Sequence, residues 1–275
     1  MDTSIRSEQL QAGRRALQAT GKSPRQVGQE RARTALTWIY RWGWSSPATI
    51  ELLTGGNRGG LAAKLVRRGL LSRTKTESGG GHRDVPAYIL TLTEAGVQEV
   101  ERWLTDEAEL LPYDTDPYRV NQSLLRHDTM AQTATARALQ NRSIQAFLTE
   151  RQMAARSRPG IKQPDVVWLQ RGDEEDDQWL RFAVEVELSA KWSRDLDQFV
   201  HACVTSLTGD QPRFHQIILI TDSPAIKARY ENAFRPGSQY DLWERDPRRH
   251  WHVVDTTTVP DTTEGRFLCR LVNRS

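Results

Sequence analysis

The stretch Phe182-Ala183-Val184-Glu185-Val186-Glu187-Leu188 limits the possible folds more than any other part of the chain. It reads as a buried strand, and the two-residue period of a strand puts Glu185 and Glu187 on one face, with Val184 and Val186 on the other. Two carboxylates inside an apolar strand are costly unless something compensates them. A second strand, opening Gln163-Pro164-Asp165-Val166-Val167-Trp168-Leu169, would set Asp165 at its start beside that acidic face. The expected fold is therefore a sheet that gathers carboxylates and finds partners for them.

Around these two strands, helix and strand alternate. Asn121–Gln140 is Ala-rich and predicts a helix, followed by extended segments over Ile144–Arg151, Asp165–Gln170 and Leu180–Leu188. Leu196, Phe199, Val200, Cys203, Val204 and Leu207 form a helical stripe over Ser193–Leu207, which makes Cys203 a core residue. His215–Thr221 reads as a buried strand, Ser223-Pro224 starts a helix to about Phe234, and Trp251–Val254 reads as a last strand. The order is αβββαβαβ. Glu150 could join the acidic group from the first strand, and carboxylates gathered across a hairpin suit a hard, oxygen-ligated cation such as Mg²⁺. His127-Asp128 reads as a polar contact at the start of its helix; His250 and His252 share a strand face without an evident third ligand.

Charge divides the chain. Residues 1–100 carry 15 Lys+Arg against 8 Asp+Glu, net +7, and residues 101–275 carry 23 against 27, net −4. A basic part beside an acidic one fits a polyanion reader joined to a site made of carboxylates. The length of 275 residues suggests two domains. Residues 1–30, polar and holding Gly13, Gly21, Pro24 and Gly28, read as a flexible basic arm. A first domain follows over 31–105, the acidic run from Asp106 to Pro117 marks a linker over 106–118, and 119–275 is the second domain. Cys203 and Cys269 are too few for a disulfide framework or a Cys-based zinc site. With no apolar run of about 18 residues and no signal-peptide core, the expectation is a cytoplasmic chain without a membrane partner.

Within 31–105, a helix over Ala32–Trp44 carries Leu36, Ile39 and Tyr40 at core spacing, and Trp38, Trp42 and Trp44 suit packing or a dimer surface. Ser45-Ser46-Pro47 caps a short helix through Leu53, and Thr54-Gly55-Gly56 turns the chain. A third helix runs from about Asn57 to Arg68. Leu61, Ala62, Leu65 and Val66 share one arc of it, opposite Asn57, Gly60, Lys64 and Arg67, with Arg68 at the edge. Leu70–Thr76 and Ala87–Leu92 form a hairpin around a Gly-rich tip, and Thr93-Glu94-Ala95-Gly96 opens a closing helix to about Leu104.

Three helices, a hairpin and a further helix resemble a winged helix-turn-helix over about residues 31–104. The wording Leu65-Val66-Arg67-Arg68-Gly69-Leu70-Leu71, then Tyr88-Ile89-Leu90-Thr91-Leu92-Thr93-Glu94-Ala95-Gly96, is similar to that fold's usual phrasing. The resemblance implies duplex DNA as partner. Asn57, Arg58, Lys64, Arg67 and Arg68 would face the groove, while Arg73, Lys75 and Arg83 on the hairpin would meet phosphates.

Residues 121–256 resemble the PD-(D/E)xK nuclease superfamily, giving an α/β (α+β overall) chain: a winged helix, then a nuclease-like αβββαβ domain. Pro164-Asp165 matches its first motif and Glu185-Val186-Glu187 its second, with Glu187 where Lys is usual. The resemblance implies Asp165 and Glu185 as ligands of Mg²⁺, Glu187 as ligand or base, and Lys191, reaching back from the following loop, for charge stabilisation. The two modules together, with Pro164-Asp165-Val166-Val167 and Val184 through Lys191, are similar to the plasmid replication-relaxation family. That implies a DNA-binding accessory protein of a mobile genetic element: a relaxosome component in plasmid mobilisation and conjugation, with a relaxase as possible partner and a possible homodimer. Two other readings stay open, a Mg²⁺-dependent DNA endonuclease using Asp165 and Glu185, and a transcriptional regulator.

Overall fold

The computed structural model describes residues 21–55, 60–154, 163–172 and 178–272 of a mixed α/β chain. Contacts divide it into two compact units, Met1–Lys75 with Tyr88–Val120, and Thr76–Ala87 with Asn121–Ser275. No helix among the described residues is long and apolar enough to cross a membrane.

The first unit opens with α1, Pro24–Trp42, which takes up part of the stretch expected as an arm. Its early start has a local cause. The Ser23 side chain accepts from Gln26 N–H, the Gln26 side chain accepts from Ser23 N–H at 2.8 Å, and Pro24 occupies the first turn. Such a reciprocal cap contributes about 1 kcal/mol. Residues 1–20 of the expected arm lie outside the described residues. Ala32, Ala35, Leu36, Ile39 and Tyr40 form the buried stripe of α1, and Trp38 and Trp44 are buried with them.

Ser46 caps α2, Pro47–Thr54, by accepting from Thr49 N–H at 3.0 Å. Helix α3, Gly60–Arg67, buries Ala62 and Leu65. Strands β1, Leu71–Lys75, and β2, Tyr88–Leu92, pair antiparallel, with Leu71 opposite Leu92 and Lys75 opposite Tyr88. Helix α4, Glu94–Glu101, is locked to the start of this hairpin. Thr93 Oγ1 accepts from Gly96 N–H at 3.2 Å and donates to the Gly69 carbonyl at 2.6 Å.

The acidic stretch expected as a linker is partly a strap on this unit. Tyr40 Oη donates to the Leu111 carbonyl at 3.0 Å and accepts from Leu111 N–H at 2.8 Å. Tyr113 stacks on Tyr40 with ring centres 5.8 Å apart. Its hydroxyl donates to the Gly43 carbonyl at 2.6 Å and accepts from Leu92 N–H at 2.9 Å. Backbone groups left over at a helix end and a strand end are thus satisfied by tyrosines.

In the second unit, helix α5, Leu125–Gln140, precedes β3, Ala146–Thr149, and a short α6, Glu150–Ala154. Strands β4, Val166–Arg171, and β5, Trp179–Val186, lead to α7, Ser193–Leu207, and β6, Gln216–Thr221. Helix α8, Pro224–Ala233, is followed by β7, Gln239–Arg245, β8, Trp251–Thr258, and β9, Phe267–Leu271. The five-stranded sheet has the order β3-β4-β5-β6-β9, antiparallel at its first two junctions and parallel at the next two. On one face Val167, Ala183, Ile217 and Leu219 form a core with Phe199, Val200 and Cys203 of α7 and Tyr230 of α8. Trp168, on the alternate set of positions, donates through Nε1 to Thr135 Oγ1 of α5 at 2.9 Å.

Three differences from expectation stand out. Strand β3 stops at Thr149, so Glu150 heads α6 instead of lying on a strand. Strand β8 extends to Thr258 by pairing with β7, which sequence pattern did not mark, and β9 adds an edge strand. The hairpin tip, Thr76–Ala87, belongs with the second unit, where Glu77 N–H donates to Gln122 Oε1 at 3.2 Å and Asp84 Oδ2 lies 3.8 Å from Arg126 Nε.

The tightest approach in the first unit is at Gly96, where a Cβ would stand 2.1 Å from the Leu70 carbonyl oxygen. Backbone on both sides leaves little room to yield. Gly96→Ala should destabilise the chain by about 2–3 kcal/mol, read from urea unfolding, although alanine is the better helix former. An unchanged or higher midpoint would show that α4 can back away.

Candidate functional site

Asp165 stands one residue before β4. The register that sets Val166 opposite Val184 carries outward to Asp165 and Glu185, so antiparallel pairing puts both side chains on one face. Asp165 Oδ2 accepts from Val186 N–H at 2.7 Å, which ties the two strands together at this end. Glu185 and Glu187 are both buried, 8% and 6% exposed. Sequence periodicity gathered these three residues, and they are neighbours in the fold.

Two cations meet two of them. Lys191, four residues past Glu187, closes an ion pair with Glu187 and lies over the Phe199 ring, 4.9 Å from its centre. His127, in the first turn of α5, sets Nε2 3.1 Å from Asp165 Oδ2 and Nδ1 3.0 Å from Asp128 Oδ1. Burial alone would lower the pKa of this imidazole. The hydrogen bonds to Asp128 and Asp165, with their charges, outweigh it and push the pKa from 6.5 up to about 10. His127 is thus a bound cation at neutral pH, and its contact reaches the acidic cluster beyond the helix start that the sequence suggested. Arg126 beside it bonds Asp222 at 2.6 Å.

Tyr230 borders the cluster from α8. Burial drives its phenol up to about 12; the Lys191 backbone opposes this, and Cys203 and the Glu185 charge add to it. It stays protonated at neutral pH and adds no charge to the site.

This donor set was tested against the Mg²⁺ ion that the resemblance implies. One oxygen of Asp165 is engaged by His127 and Val186 N–H, and Glu187 by Lys191. Among the described residues no group of three or more His, Cys, Asp or Glu side chains is placed to hold a metal ion. As arranged, Asp165 and Glu187 each meet a cation of the protein itself, His127 and Lys191. Glu150 is exposed at the head of α6 and meets Asp165 through its backbone, its N–H donating to the Asp165 carbonyl at 3.3 Å.

No family model matches the chain, and no curated protein or solved structure matches it either.

In the first unit, Lys64, Arg67 and Arg68 are exposed around α3, and Arg73 and Lys75 are exposed on β1. Arg73 stacks its guanidinium on the Tyr88 ring 3.8 Å from the centre. Asn57 and Arg58 lie outside the described residues. Arg83, on the hairpin tip that groups with the second unit, is half exposed and sets Nε 3.4 Å from Asp84 Oδ2.

His127 is the site residue that the sequence reading undervalued. The signal available was the triplet Arg126-His127-Asp128 in one helical turn, too much charge for a simple cap.

Two measurements check this arrangement. Lys191→Ala leaves Glu187 buried without its cation. The expected loss is about 2–3 kcal/mol, below the full cost of a broken buried pair because Lys191 is 32% exposed, and part of it should return when Glu187→Gln is added. Recovery of nothing in the double variant would mean that the pair is not what holds the loop.

The second concerns pH. The folded imidazole titrates at about 10 and the unfolded one near 6.5, so protonated His127 stabilises the fold fully below pH 6.5. That stabilisation is lost as pH rises through 10. Between those values the native chain should lose stability that His127→Gln does not, and the His127 ring resonances should titrate far above the usual histidine range.

Proposed function

We propose that the protein is a DNA-binding accessory component of a mobile genetic element. In this reading the first unit is a winged helix that grips duplex DNA, and the second is a PD-(D/E)xK-like body that does not cut. The relaxosome role, the relaxase partner, a dimeric state and a cytoplasmic setting rest on the family resemblance of the sequence. The observation that carries the DNA-binding part is the exposed row Lys64, Arg67 and Arg68, around a helix whose Ala62 and Leu65 are buried. Among the described residues, no salt bridge engages any of the three. Cations with no acidic partner among the described residues are available to phosphates, and each phosphate neutralised steepens the salt dependence of binding by about 0.9.

The non-cleaving part follows from the paired carboxylates. A hydrolytic Mg²⁺ site needs open oxygens, and Asp165 Oδ2 and the Glu187 carboxylate are drawn to His127 and Lys191 instead. The transcriptional-regulator reading shares the same DNA grip and gains no separate support.

Titration of a labelled duplex against salt tests the proposal. The native chain should bind with a steep slope, and Lys64→Ala with Arg67→Ala should lower that slope by about 2. Supercoiled plasmid with Mg²⁺ should stay intact. Nicking by the native chain that disappears in Asp165→Ala and Glu185→Ala would replace this reading with the endonuclease, and failure to bind duplex would end both.

A further inference from the structure

Beside the carboxylate cluster, the second unit carries a surface of tryptophan and arginine that the duplex reading does not use. Trp192 directly follows Lys191 and is 65% exposed, an unusual state for the largest apolar side chain. The next residue, Ser193, sits at φ +43°, in the left-handed region that a serine enters only with strain. The chain thus accepts a strained turn at the point where it presents an indole to water. Arg229 of α8 lays its guanidinium over the Trp192 ring while donating to the Lys191 carbonyl at 3.0 Å. Two residues past Trp192, Arg194 stands over the Trp251 ring, 5.1 Å from its centre, and Arg245 over the same ring at 4.6 Å. Trp243 Nε1 donates to Asp197 Oδ2 at 2.9 Å, which pins the β7–β8 hairpin against α7 and holds Trp251 beside this group.

The chemistry of such a surface is specific. A guanidinium stacked on an indole is oriented without losing its charge, and it keeps donors for a phosphate. Arg194 is paired with Asp195 at 2.8 Å, but no salt bridge among the described residues engages Arg229 or Arg245. Aromatic faces with interleaved cations suit a strand whose bases stack in turn while its phosphates follow the arginines. A duplex cannot use the indoles, since its base faces are already covered by their neighbours.

We propose that the Trp192–Trp251 surface binds unpaired nucleotides of single-stranded nucleic acid, with a base stacked on Trp192 and phosphates held by Arg229 and Arg245. The surface lies wholly within the second unit and is independent of the duplex grip of the first.

The test uses the full-length chain and a fluorescein-labelled twelve-nucleotide oligo(dT), followed by anisotropy. Trp192→Ala should weaken oligo(dT) binding about tenfold, the size of one lost stacking contact, and leave duplex affinity unchanged. Arg229→Ala, which removes no exposed aromatic, should weaken it less and lower its salt slope by about 0.7. Lys64→Ala with Arg67→Ala should weaken duplex binding only, so failure of the duplex reading and failure of this one are told apart. The proposal is overturned if native chain ignores oligo(dT), if Trp192→Ala binds it as well as native, or if the first-unit variant abolishes it. Tight binding to anionic phospholipid vesicles in place of oligo(dT) would overturn it as well.

Discussion

Burying two carboxylates at the end of β5 is the constraint that organises the second unit. Each such group costs several kcal/mol to take out of water, and apolar neighbours such as Leu219, opposite Glu185 on β6, return none of it. Everything placed around that strand end answers the cost. Asp165, itself acidic, is admitted because Val186 N–H and His127 both bond to it. The chain leaving β5 returns Lys191 to Glu187, and α5 begins with a charged triplet because its first turn reaches the same cluster. The helix start, the strand register and the loop are positioned by one electrostatic demand.

That demand can be met in two ways. A metal cage and a neutralised cluster use the same carboxylates, and the difference lies in where the compensating charge resides. A protonated imidazole and an ammonium inside the protein supply part of that charge. Glu187 belongs to this account: it adds a second negative group at the strand end, and Lys191, four residues further along, pairs with it.

Much of this was legible in the sequence. The alternation in Phe182–Leu188 set Glu185 and Glu187 on one face, Pro164-Asp165 set the neighbouring acid, and the stripe in Ser193–Leu207 gave α7 to the residue. Such features are encoded by period, and period survives folding. What could not be read depends on contacts between distant residues. Nothing in the spacing says that His127 meets Asp165, and Phe267–Leu271 is too short and mixed to announce a strand without the β6 edge that receives it. Polar composition misled at both ends of the first unit. The Ser23–Gln26 cap turned part of an arm into helix, and two tyrosines turned part of a linker into a strap.

Net charge is a coarse guide, and the reason is range. The −4 of residues 101–275 fits a site made of carboxylates. Charges act over a screening length of about 8 Å at physiological ionic strength, so an approaching phosphate senses the nearest few groups rather than the sum. Some of the acids are already paired within the chain: Asp222 holds Arg126, and Glu187 holds Lys191. An acid paired with its own cation projects little field. Arg229 and Arg245, stacked on indoles, project theirs outward. A stretch that is acidic by count can therefore present a cationic, aromatic surface, and it is that local surface, not the tally, that an approaching partner meets.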